Sequence, residues 1–328
     1  MTTALVTGAT GFIGQHLVQR LLQAHYGVRV LTRPSPLQRN WPTNVAVIEG
    51  DIRDAAKMKE AAAGANLVFH LAGRAHALSQ LGEDDDAYRP LNVEGTRNVL
   101  EGALAGGAQA IVFFSSVKVF GDETAECRDE TAPSSPSTPY GRSKAEAEEL
   151  VKDYTRTTEL RGVSLRLPLV YGPGNKGNIQ RLIWAIDHHL FPPFPDIPNR
   201  RSLVHVSNVV EAALLAALQA PKSPCYIVTD RRPYSTRELY TMICRALGRQ
   251  IPHWQFPLRA LMILGALGDL VGLATRRRFL IDTASLGKLI GSAWYSSQRI
   301  SRELGYDPVI NLESALPELI AGYRSQKD

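Results

Sequence analysis

The sequence predicts an α/β protein with a doubly wound parallel sheet and a second, smaller lobe. Short apolar segments alternate with segments of helical spacing up to residue 167, and a glycine-rich turn follows the first of them. Strands that alternate with helices form parallel sheets covered on both faces, and buried strands such as residues 110–114 (AIVFF) lack polar alternation. After residue 167 Pro and Gly become dense, which indicates a smaller lobe assembled from insertions.

The elements of the first lobe follow one another along the chain. The predicted strands are residues 2–7, 28–32, 45–48, 67–71, 110–114 and 163–167. The predicted helices are Phe12 to Ala24, Asp54 to Ala63, Asn92 to Leu104 and Tyr140 to Thr157. We therefore predict a first domain over residues 1–167 and a second lobe over 168–328. Residues 203–220 return to a strand-then-helix pattern and are assigned to the first domain, so the two lobes interleave.

Composition excludes several classes of protein. The 328 residues are 44% hydrophobic and 21% charged, which is a globular mixture and not that of a disordered or fibrous chain. The three cysteines have no CxxC spacing and the histidines do not cluster, so we predict neither a disulfide framework nor a metal site. The first residues lack a signal-peptide pattern, and the expected compartment is the cytoplasm.

Positive charge is concentrated in the last third of the chain. Residues 231–328 hold fourteen Lys and Arg against eight Asp and Glu, and the whole chain carries +5. The basic residues are not interleaved with aromatics, so nucleic-acid binding is not expected. Pro257 to Ala274 form an apolar stretch interrupted by Arg259 and Asp269, and Arg276 to Arg278 follow it. This segment is either a lid over the substrate or a peripheral membrane contact.

A glycine-rich turn begins directly after the first strand. Gly8, Gly11 and Gly14 lie three residues apart in TGATGFIG, before a helix that begins with Phe12 and Ile13. A strand, such a turn and a helix N-terminus form a binding site for the pyrophosphate of a dinucleotide, which predicts an NAD(P)-binding Rossmann domain. We expect all five residues to contact the cofactor.

Further cofactor contacts are expected at the ends of the next strands. Arg33 stands where an Asp would bind the ribose diol of NAD, and an Arg there accepts a 2′-phosphate, which favours NADP(H). Asp51 and Ile52, after the third strand, are expected at the adenine edge. The residues expected along the pyrophosphate and nicotinamide ribose are Leu71, Ala72 and Gly73.

Tyr140 and Lys144 lie four residues apart at the start of the long helix, so both occupy one helical face. A tyrosine with a pKa near 10 is a poor base at neutral pH, but a neighbouring ammonium and a positive nicotinamide would lower that pKa. Ser116 ends the fifth strand, 24 residues earlier, where its hydroxyl could bind the same substrate oxygen.

Together these motifs resemble the extended short-chain dehydrogenase/reductase family, in its NAD(P)-dependent nucleotide-sugar epimerase/dehydratase branch. The resemblance covers nearly the whole chain through TGATGFIG, HLAG, LNVEGTRNVL, SSVKVFG, PYGRSK, RLPLVYGPG and RRSLVHVSNVVEA. It implies that Tyr140 is the acid/base, that Lys144 binds the nicotinamide ribose and tunes Tyr140, and that Ser116 orients the substrate. Asn92 would support the cofactor site from its helix.

The residues after Ser116 separate members of this branch. Nucleotide-sugar 4,6-dehydratases place an Asp-Glu pair there, whereas this chain has Val117 and Lys118, which disfavours a dehydratase. The resemblance leaves a 4-keto reductase or a 4-epimerase of a UDP-sugar, in surface-polysaccharide synthesis. Arg33 favours the NADPH-dependent reductase.

Besides Ser116, four residues are expected to contact the sugar substrate. The resemblance places Asn178 near the sugar diphosphate and pairs Arg201 with its phosphates, a role that suits a guanidinium. Lys118 and Lys288 are further candidates for binding the negatively charged diphosphate.

Two other functions stay open. An apolar substrate would make the protein a 3β-hydroxysteroid-type or other lipid ketoreductase, which the stretch from Pro257 supports. A non-catalytic cofactor-sensing module is the other alternative, and the presence of Ser116, Tyr140 and Lys144 argues against it. The resemblance also implies a homodimer through the helices that start near Asn92 and Tyr140.

Overall fold

A computed structural model gives the fold and describes residues 1–34, 41–74, 87–175, 177–221, 225–275 and 282–325. Seven parallel strands form one sheet in the order β3-β2-β1-β4-β5-β6-β9, and β7 pairs with β8 in a small parallel sheet. The strands are β1 (Thr3–Thr7), β2 (Gly27–Thr32), β3 (Val45–Glu49), β4 (Leu67–His70), β5 (Ala110–Ser116), β6 (Arg161–Leu167), β7 (Leu169–Tyr171), β8 (Leu203–His205) and β9 (Cys225–Ile227). The predicted α/β class with a doubly wound parallel sheet is confirmed.

Eleven helices are present in the described residues. They are α1 (Phe12–Gln23), α2 (Ala55–Ala62), α3 (Gly95–Ala105), α4 (Pro139–Thr157), α5 (Asn178–Asp187), α6 (Val206–Gln219), α7 (Thr236–Ala246), α8 (Leu258–Thr275), α9 (Thr283–Ile290), α10 (Gln298–Leu304) and α11 (Leu312–Arg324). The four helices predicted in the first lobe correspond to α1 to α4, and the six predicted strands to β1 to β6.

Helices cover both faces of the large sheet. On one face, Leu17 and Leu21 of α1 and the alanine-rich side of α6 pack on alternate strand residues such as Val6 and Val112. On the other face, α2, α3 and α4 pack on residues such as Phe113. Because both faces are covered, the central strands are mostly apolar on both sides, as in residues 110–114 of β5.

A second core lies in the other lobe. Its buried residues come from α5, α7 and α11, with Leu261 of α8 and Leu286 of α9 added at one side. The division of the chain at residue 167 stays a prediction. The strand of residues 203–205 pairs with β7 and not with the large sheet, whereas α6 after it packs against α1.

Two local features differ from the sequence-based expectation. Asn92 lies not in α3 but in a π-helical turn over Pro90–Glu94, where the Gly95 N–H donates to the Pro90 carbonyl five residues back. This wide turn precedes α3 and points the region of Asn92 at the sheet. β9 was missed because it has three residues only and follows the prolines at 221 and 224.

Candidate active site

The residues predicted to bind the cofactor lie at the carboxyl edge of the large sheet. Gly8 follows β1, Arg33 follows β2, and residues 71–73 follow β4. In the sheet β1 lies between β2 and β4. The chain runs outward from β1 to β2 and β3 on one side and from β4 to β5 and β6 on the other, so the strand order reverses between β1 and β4. A crevice opens at the carboxyl ends of these two strands. The structure therefore brings the glycine turn and residues 71–73 together.

Gly8 and Gly14 leave no space for a side chain. Gly8 has a φ of +73°, and a Cβ there would lie 2.6 Å from the backbone nitrogen of Ala72. A Cβ on Gly14 would meet the Gly8 carbonyl and lie 2.8 Å from Cα of Ala9. The turn and the first helical residues are thus packed backbone against backbone, which is the arrangement that a bound pyrophosphate requires.

The N-terminus of α1 is open to an anion. Gly11, which has no side chain, is the N-cap, and its own N–H donates to the Gly8 carbonyl at 3.0 Å. Phe12 and Ile13 are the first two helical residues. Their backbone N–H groups and the helix dipole favour a phosphate group at this end. The residues present therefore fit a dinucleotide.

The ends of β2 and β3 carry charged groups. Arg33 is exposed, and Asp51 forms an ion pair with Arg53, with Nη2 and Oδ2 2.9 Å apart. The hydrogen bond from Arg53 lowers the pKa of Asp51, and Arg33 acts in the same direction. Ile52 is buried and lies against Gly95 of α3, so its side chain serves packing. Its carbonyl accepts a hydrogen bond from Asn98 Nδ2 at 3.0 Å, and a contact with the cofactor stays a prediction.

Asn92 is buried and all of its amide atoms have partners. Its Oδ1 accepts from the Arg74 N–H at 2.7 Å, and its Nδ2 donates to the Arg74 carbonyl at 3.1 Å and to Ser143 Oγ at 2.9 Å. A Cβ on Gly73 would lie 2.9 Å from Oδ1 of Asn92 and 3.6 Å from Nζ of Lys144. Asn92 therefore links the segment after β4 to α4.

Ser116 and Tyr140 face each other at the end of β5. Their side chains form a hydrogen bond, and the Tyr88 ring lies beside Tyr140 with ring centres 6.0 Å apart. Burial raises the pKa of Tyr140 to about 12, while the hydrogen bond with Ser116 lowers it. In this state Tyr140 is a proton donor and not a base at neutral pH.

Lys144 lies one helical turn beyond Tyr140. It is 6% exposed, its Nζ donates to the Phe114 carbonyl at 2.8 Å, and it lies 4.6 Å from the centre of the Phe113 ring. Burial lowers the pKa of Lys144 to about 8, and the Glu148 carboxylate counteracts this effect. The ammonium form is therefore the main form at pH 7 and is lost as the pH rises through about 8.

Two buried polar networks behind the site were not predicted from the sequence. In one, His70 lies between Thr7 and Thr96, with Nδ1 2.8 Å and Nε2 3.0 Å from their hydroxyl oxygens. Thr96 gives its proton to the Asn92 carbonyl, so Nε2 of His70 is the donor. Burial lowers the pKa of His70 to about 3, and the ring is neutral at physiological pH.

The other network surrounds Glu148 of α4. This carboxylate is buried, accepts from Ser115 Oγ at 2.5 Å and forms an ion pair with Arg166, with Nη2 and Oε2 2.7 Å apart. Two signals in the sequence could have indicated it. Glu148 follows Lys144 by four residues, and Arg166 interrupts an otherwise apolar strand.

Charged side chains gather next to Ser116 on the side of the second lobe. Lys118, two residues after Ser116, forms an ion pair with Asp122. Lys288 also acts electrostatically on Asp122, and Arg201 interacts with both Asp122 and Glu123. Three of the five predicted substrate-binding residues thus act on the same carboxylate, that of Asp122.

Arg201 and Asn178 differ in setting. The Arg201 guanidinium donates through Nη1 to the Gly291 carbonyl at 2.9 Å, and burial lowers the pKa of Arg201. This bond fixes the side chain beside α9. Asn178 is the first residue of α5 and is exposed. Its role toward the substrate stays a prediction.

Comparison with known proteins places the chain in a family. Residues 4–228 match the model of the NAD-dependent epimerase/dehydratase family. The UDP-glucose 4-epimerase of Vibrio cholerae is 32% identical over 77% of this chain and 78% of its own length. An N-acetyl-α-D-glucosaminyl-diphospho-ditrans,octacis-undecaprenol 4-epimerase of Escherichia coli O157:H7 is 26% identical over 90% of this chain and 88% of its own.

A solved structure agrees with these relatives. The UDP-glucose 4-epimerase of Thermus thermophilus in complex with NAD has a TM-score of 0.75 and 25% identity, covering 98% of this chain and 99% of its own. The chain belongs to the NAD-dependent epimerase/dehydratase family and is an enzyme of the short-chain dehydrogenase/reductase type. The predicted family is confirmed, and this membership argues against a non-catalytic sensing module.

In the described residues, no helix is long and apolar enough to cross a membrane. The basic cluster at Arg276 to Arg278 lies outside the described residues.

The packing at Gly14 predicts a stability effect. Gly14→Ala places a methyl group against the Gly8 carbonyl and should lower the free energy of unfolding by about 1–3 kcal/mol. It should also weaken NADH binding, because the glycine turn shifts. Thermal unfolding and nicotinamide fluorescence would measure both. Gly322→Ala in α11, where a Cβ has nothing within 4 Å, is the matched control. Equal behaviour of the two variants would contradict the prediction.

Proposed function

We propose that this protein oxidises or reduces C4 of a nucleotide-linked sugar, most specifically a UDP-sugar, as a 4-keto reductase or a 4-epimerase. The observation that carries the proposal is the position of the Ser116–Tyr140 pair and Lys144 beside the cluster of Lys118, Arg201 and Lys288. The first group suits proton transfer at a sugar hydroxyl or ketone. The second suits the charge of a diphosphate.

The glycine turn and residues 71–73 would hold the dinucleotide, and the backbone N–H groups of α1 would bind its pyrophosphate. When bound, the nicotinamide accepts or donates a hydride at the sugar carbon. Lys144 would contact the nicotinamide ribose, and its position 3.6 Å from a Cβ built on Gly73 supports this role. Asn92 would hold the segment around Arg74 in place.

Tyr140 would move the proton at the sugar oxygen. In the reducing direction its phenol, with a pKa of about 12, donates a proton as the C4 ketone becomes a hydroxyl. In the oxidising direction it must first lose that proton, and the Lys144 ammonium would stabilise the phenolate. Ser116 would bind the same oxygen and hold it within reach of Tyr140.

The charged cluster would hold the diphosphate of the sugar nucleotide. Lys118, Arg201 and Lys288 outnumber Asp122 and Glu123, so the cluster keeps a net positive charge. Arg201 is fixed by its bond to Gly291, which reduces the entropy lost when it binds a phosphate. A lipid ketoreductase would have no anion for this cluster, which is why the nucleotide sugar is preferred.

Two further parts of the proposal rest on the family resemblance: a homodimer through α3 and α4, and a role in surface-polysaccharide synthesis. A cytoplasmic location is proposed from the cysteine usage and the N-terminal sequence. The lack of an Asp-Glu pair after Ser116 supports a reductase or epimerase over a dehydratase.

Turnover of UDP-sugars tests the proposal directly. Incubation with UDP-glucose or UDP-N-acetylglucosamine and NAD should yield the C4 epimer if the protein is an epimerase. A 4-keto-6-deoxy UDP-sugar with NADPH should be reduced if it is a reductase. Tyr140→Phe should lower kcat at least about a hundredfold in either assay, because no other group replaces the phenol.

Tyr154→Phe is the matched control, since Tyr154 lies on the same helix with its hydroxyl on Glu101. Full activity of Tyr140→Phe would contradict the assignment of the acid/base. Failure of the wild-type protein to convert any of these sugars would contradict the substrate class.

Arg33 decides the cofactor preference in this proposal. The exposed guanidinium at the end of β2 would pair with the 2′-phosphate of NADPH. Arg33→Ala should raise the Kd for NADPH about tenfold and leave that for NADH unchanged. Fluorescence titration with both nucleotides gives the comparison. An unchanged Kd for NADPH would remove the argument for NADP(H).

A second candidate is a peripheral membrane contact through α8. The inner side of this helix, at Leu261 and Gly265, packs toward α9. Its single described carboxylate, Asp269, accepts hydrogen bonds from Thr283 at the start of α9 and so lies on the side of α9. The outer side carries Arg259 and five apolar side chains between 41% and 62% exposed: Met262, Ile263, Leu264, Leu267 and Leu270.

An anionic lipid surface fits this outer side. The apolar side chains would enter the acyl boundary, and the basic excess of residues 231–328 would face the headgroups. The undecaprenol-linked substrate in the name of the Escherichia coli relative adds support, because such a substrate is held at a membrane. A sugar diphosphate linked to a lipid would still place its phosphates at the charged cluster.

Vesicle flotation tests this contact. The wild-type protein should float with phosphatidylglycerol vesicles and less with phosphatidylcholine, and the double variant Ile263→Glu/Leu267→Glu should bind at least about tenfold more weakly. Leu218→Glu on α6, at a position 53% exposed, is the control. If the double variant floats as well as the wild-type protein, the proposed membrane contact is contradicted. A fall in mass by light scattering without any flotation would assign the face to a subunit contact instead.

A further inference from the structure

We propose that Glu148 is a positioning residue for the active site: it fixes α4 to the ends of β5 and β6 and keeps Lys144 in its ammonium form. This inference rests on the proposed roles of Tyr140 and Lys144. It assigns a function to the buried ion pair with Arg166, which makes no direct contact with the predicted substrate site.

The contacts of Glu148 span two neighbouring strands. Ser115 of β5 and Arg166 of β6 are paired across the sheet, and both donate to the Glu148 carboxylate. Arg166 also donates through Nε to both carboxylate oxygens at 3.1 Å. One side chain of α4 therefore holds two strand ends at the level just before Ser116.

A second bond completes the attachment one turn earlier on the helix. Lys144 donates to the carbonyl of Phe114, the residue before Ser115. Two successive turns of α4 thus bond to two successive residues of β5. Because Tyr140 lies one further turn along the same helix, its distance from Ser116 at the end of β5 depends on this attachment.

Glu148 and Lys144 also interact electrostatically. Residues four apart on a helix have Cβ atoms about 5–6 Å apart, and both side chains are buried here. The charged and titratable groups around Lys144 are Glu148 and Tyr140 on α4 and the neutral His70 on β4. Around the carboxylate they are Arg166 and, on β9, the thiol of Cys225.

The balance of these groups favours a protonated Lys144. Burial lowers the pKa of Lys144 to about 8, and the Glu148 carboxylate raises it. Without that carboxylate the pKa would fall further, and Lys144 would lose its positive charge within the physiological range. A neutral Lys144 would no longer stabilise the Tyr140 phenolate.

Glu148→Gln removes the negative charge of this residue and keeps the size and shape of its side chain. In the protein without added cofactor, trace acetylation with acetic anhydride followed by mass spectrometry reports the titration of Lys144. The midpoint of that titration should fall by on the order of one pH unit in Glu148→Gln. The alkaline limb of kcat against pH should move to lower pH by the same amount. Glu149→Gln, which removes a charge from an exposed neighbouring position, should change neither.

Glu148→Asp tests the attachment to the strands. The shorter side chain keeps the charge but cannot reach Ser115 and Arg166 together, so the midpoint of Lys144 should stay near the wild-type value. Its kcat should fall about tenfold with little change in KM, because Tyr140 is displaced from Ser116. Thermal unfolding identifies any variant that does not fold, and Glu148→Asp still tests the positioning role if Glu148→Gln does not fold.

An unchanged Lys144 midpoint in folded Glu148→Gln would overturn the role of the charge. An unchanged kcat in Glu148→Asp would overturn the positioning role. If Tyr140→Phe remains active, the proposed function fails, but the Lys144 titration still decides the inference about Glu148.

Discussion

The candidate active site depends on how α4 packs across the carboxyl ends of β5 and β6. That helix carries Tyr140 and Lys144, while the strand it covers ends at Ser116. Neither α4 nor β5 alone forms a site, and the hydrogen bonds between the helix and the strands set the distance between them. The glycine turn, the segment after β4 and the charged cluster of the second lobe are arranged around this contact.

Without bound ligands, burial of the site disfavours the charged forms of Tyr140 and Lys144 that proton transfer in the oxidising direction requires. Burial favours the neutral forms of both residues, so it raises the pKa of Tyr140 and lowers that of Lys144. A reaction that needs a phenolate next to an ammonium therefore requires other charges to offset this burial. Glu148 is such a charge within the protein, and a positive nicotinamide would be another.

Much of the first lobe could be predicted from the sequence because its signals are local. The glycine turn, the apolar strands and the spacing of Tyr140 and Lys144 are each read from a few consecutive residues. The charged residues of the second lobe, Arg201 and Lys288, were singled out because they stand in recognisable segments, and their role toward a substrate stays a prediction. Glu148 and Arg166 were missed because their partnership joins residues from separate elements. The spacing of Glu148 from Lys144 and the charge inside the strand do not by themselves show that the two side chains meet. β9 was missed for the same reason, because its pairing with β6 and not its own sequence makes it a strand.

The position of β9 also bears on how the protein is made. The large sheet is not complete until residues 225–227 pair with β6, so the outer edge of β6 remains without its neighbour while about sixty intervening residues are synthesised. An unpaired strand edge is a template for association with other chains. A chain that stalls before this point would therefore be prone to aggregation, even though its dinucleotide site could already have formed.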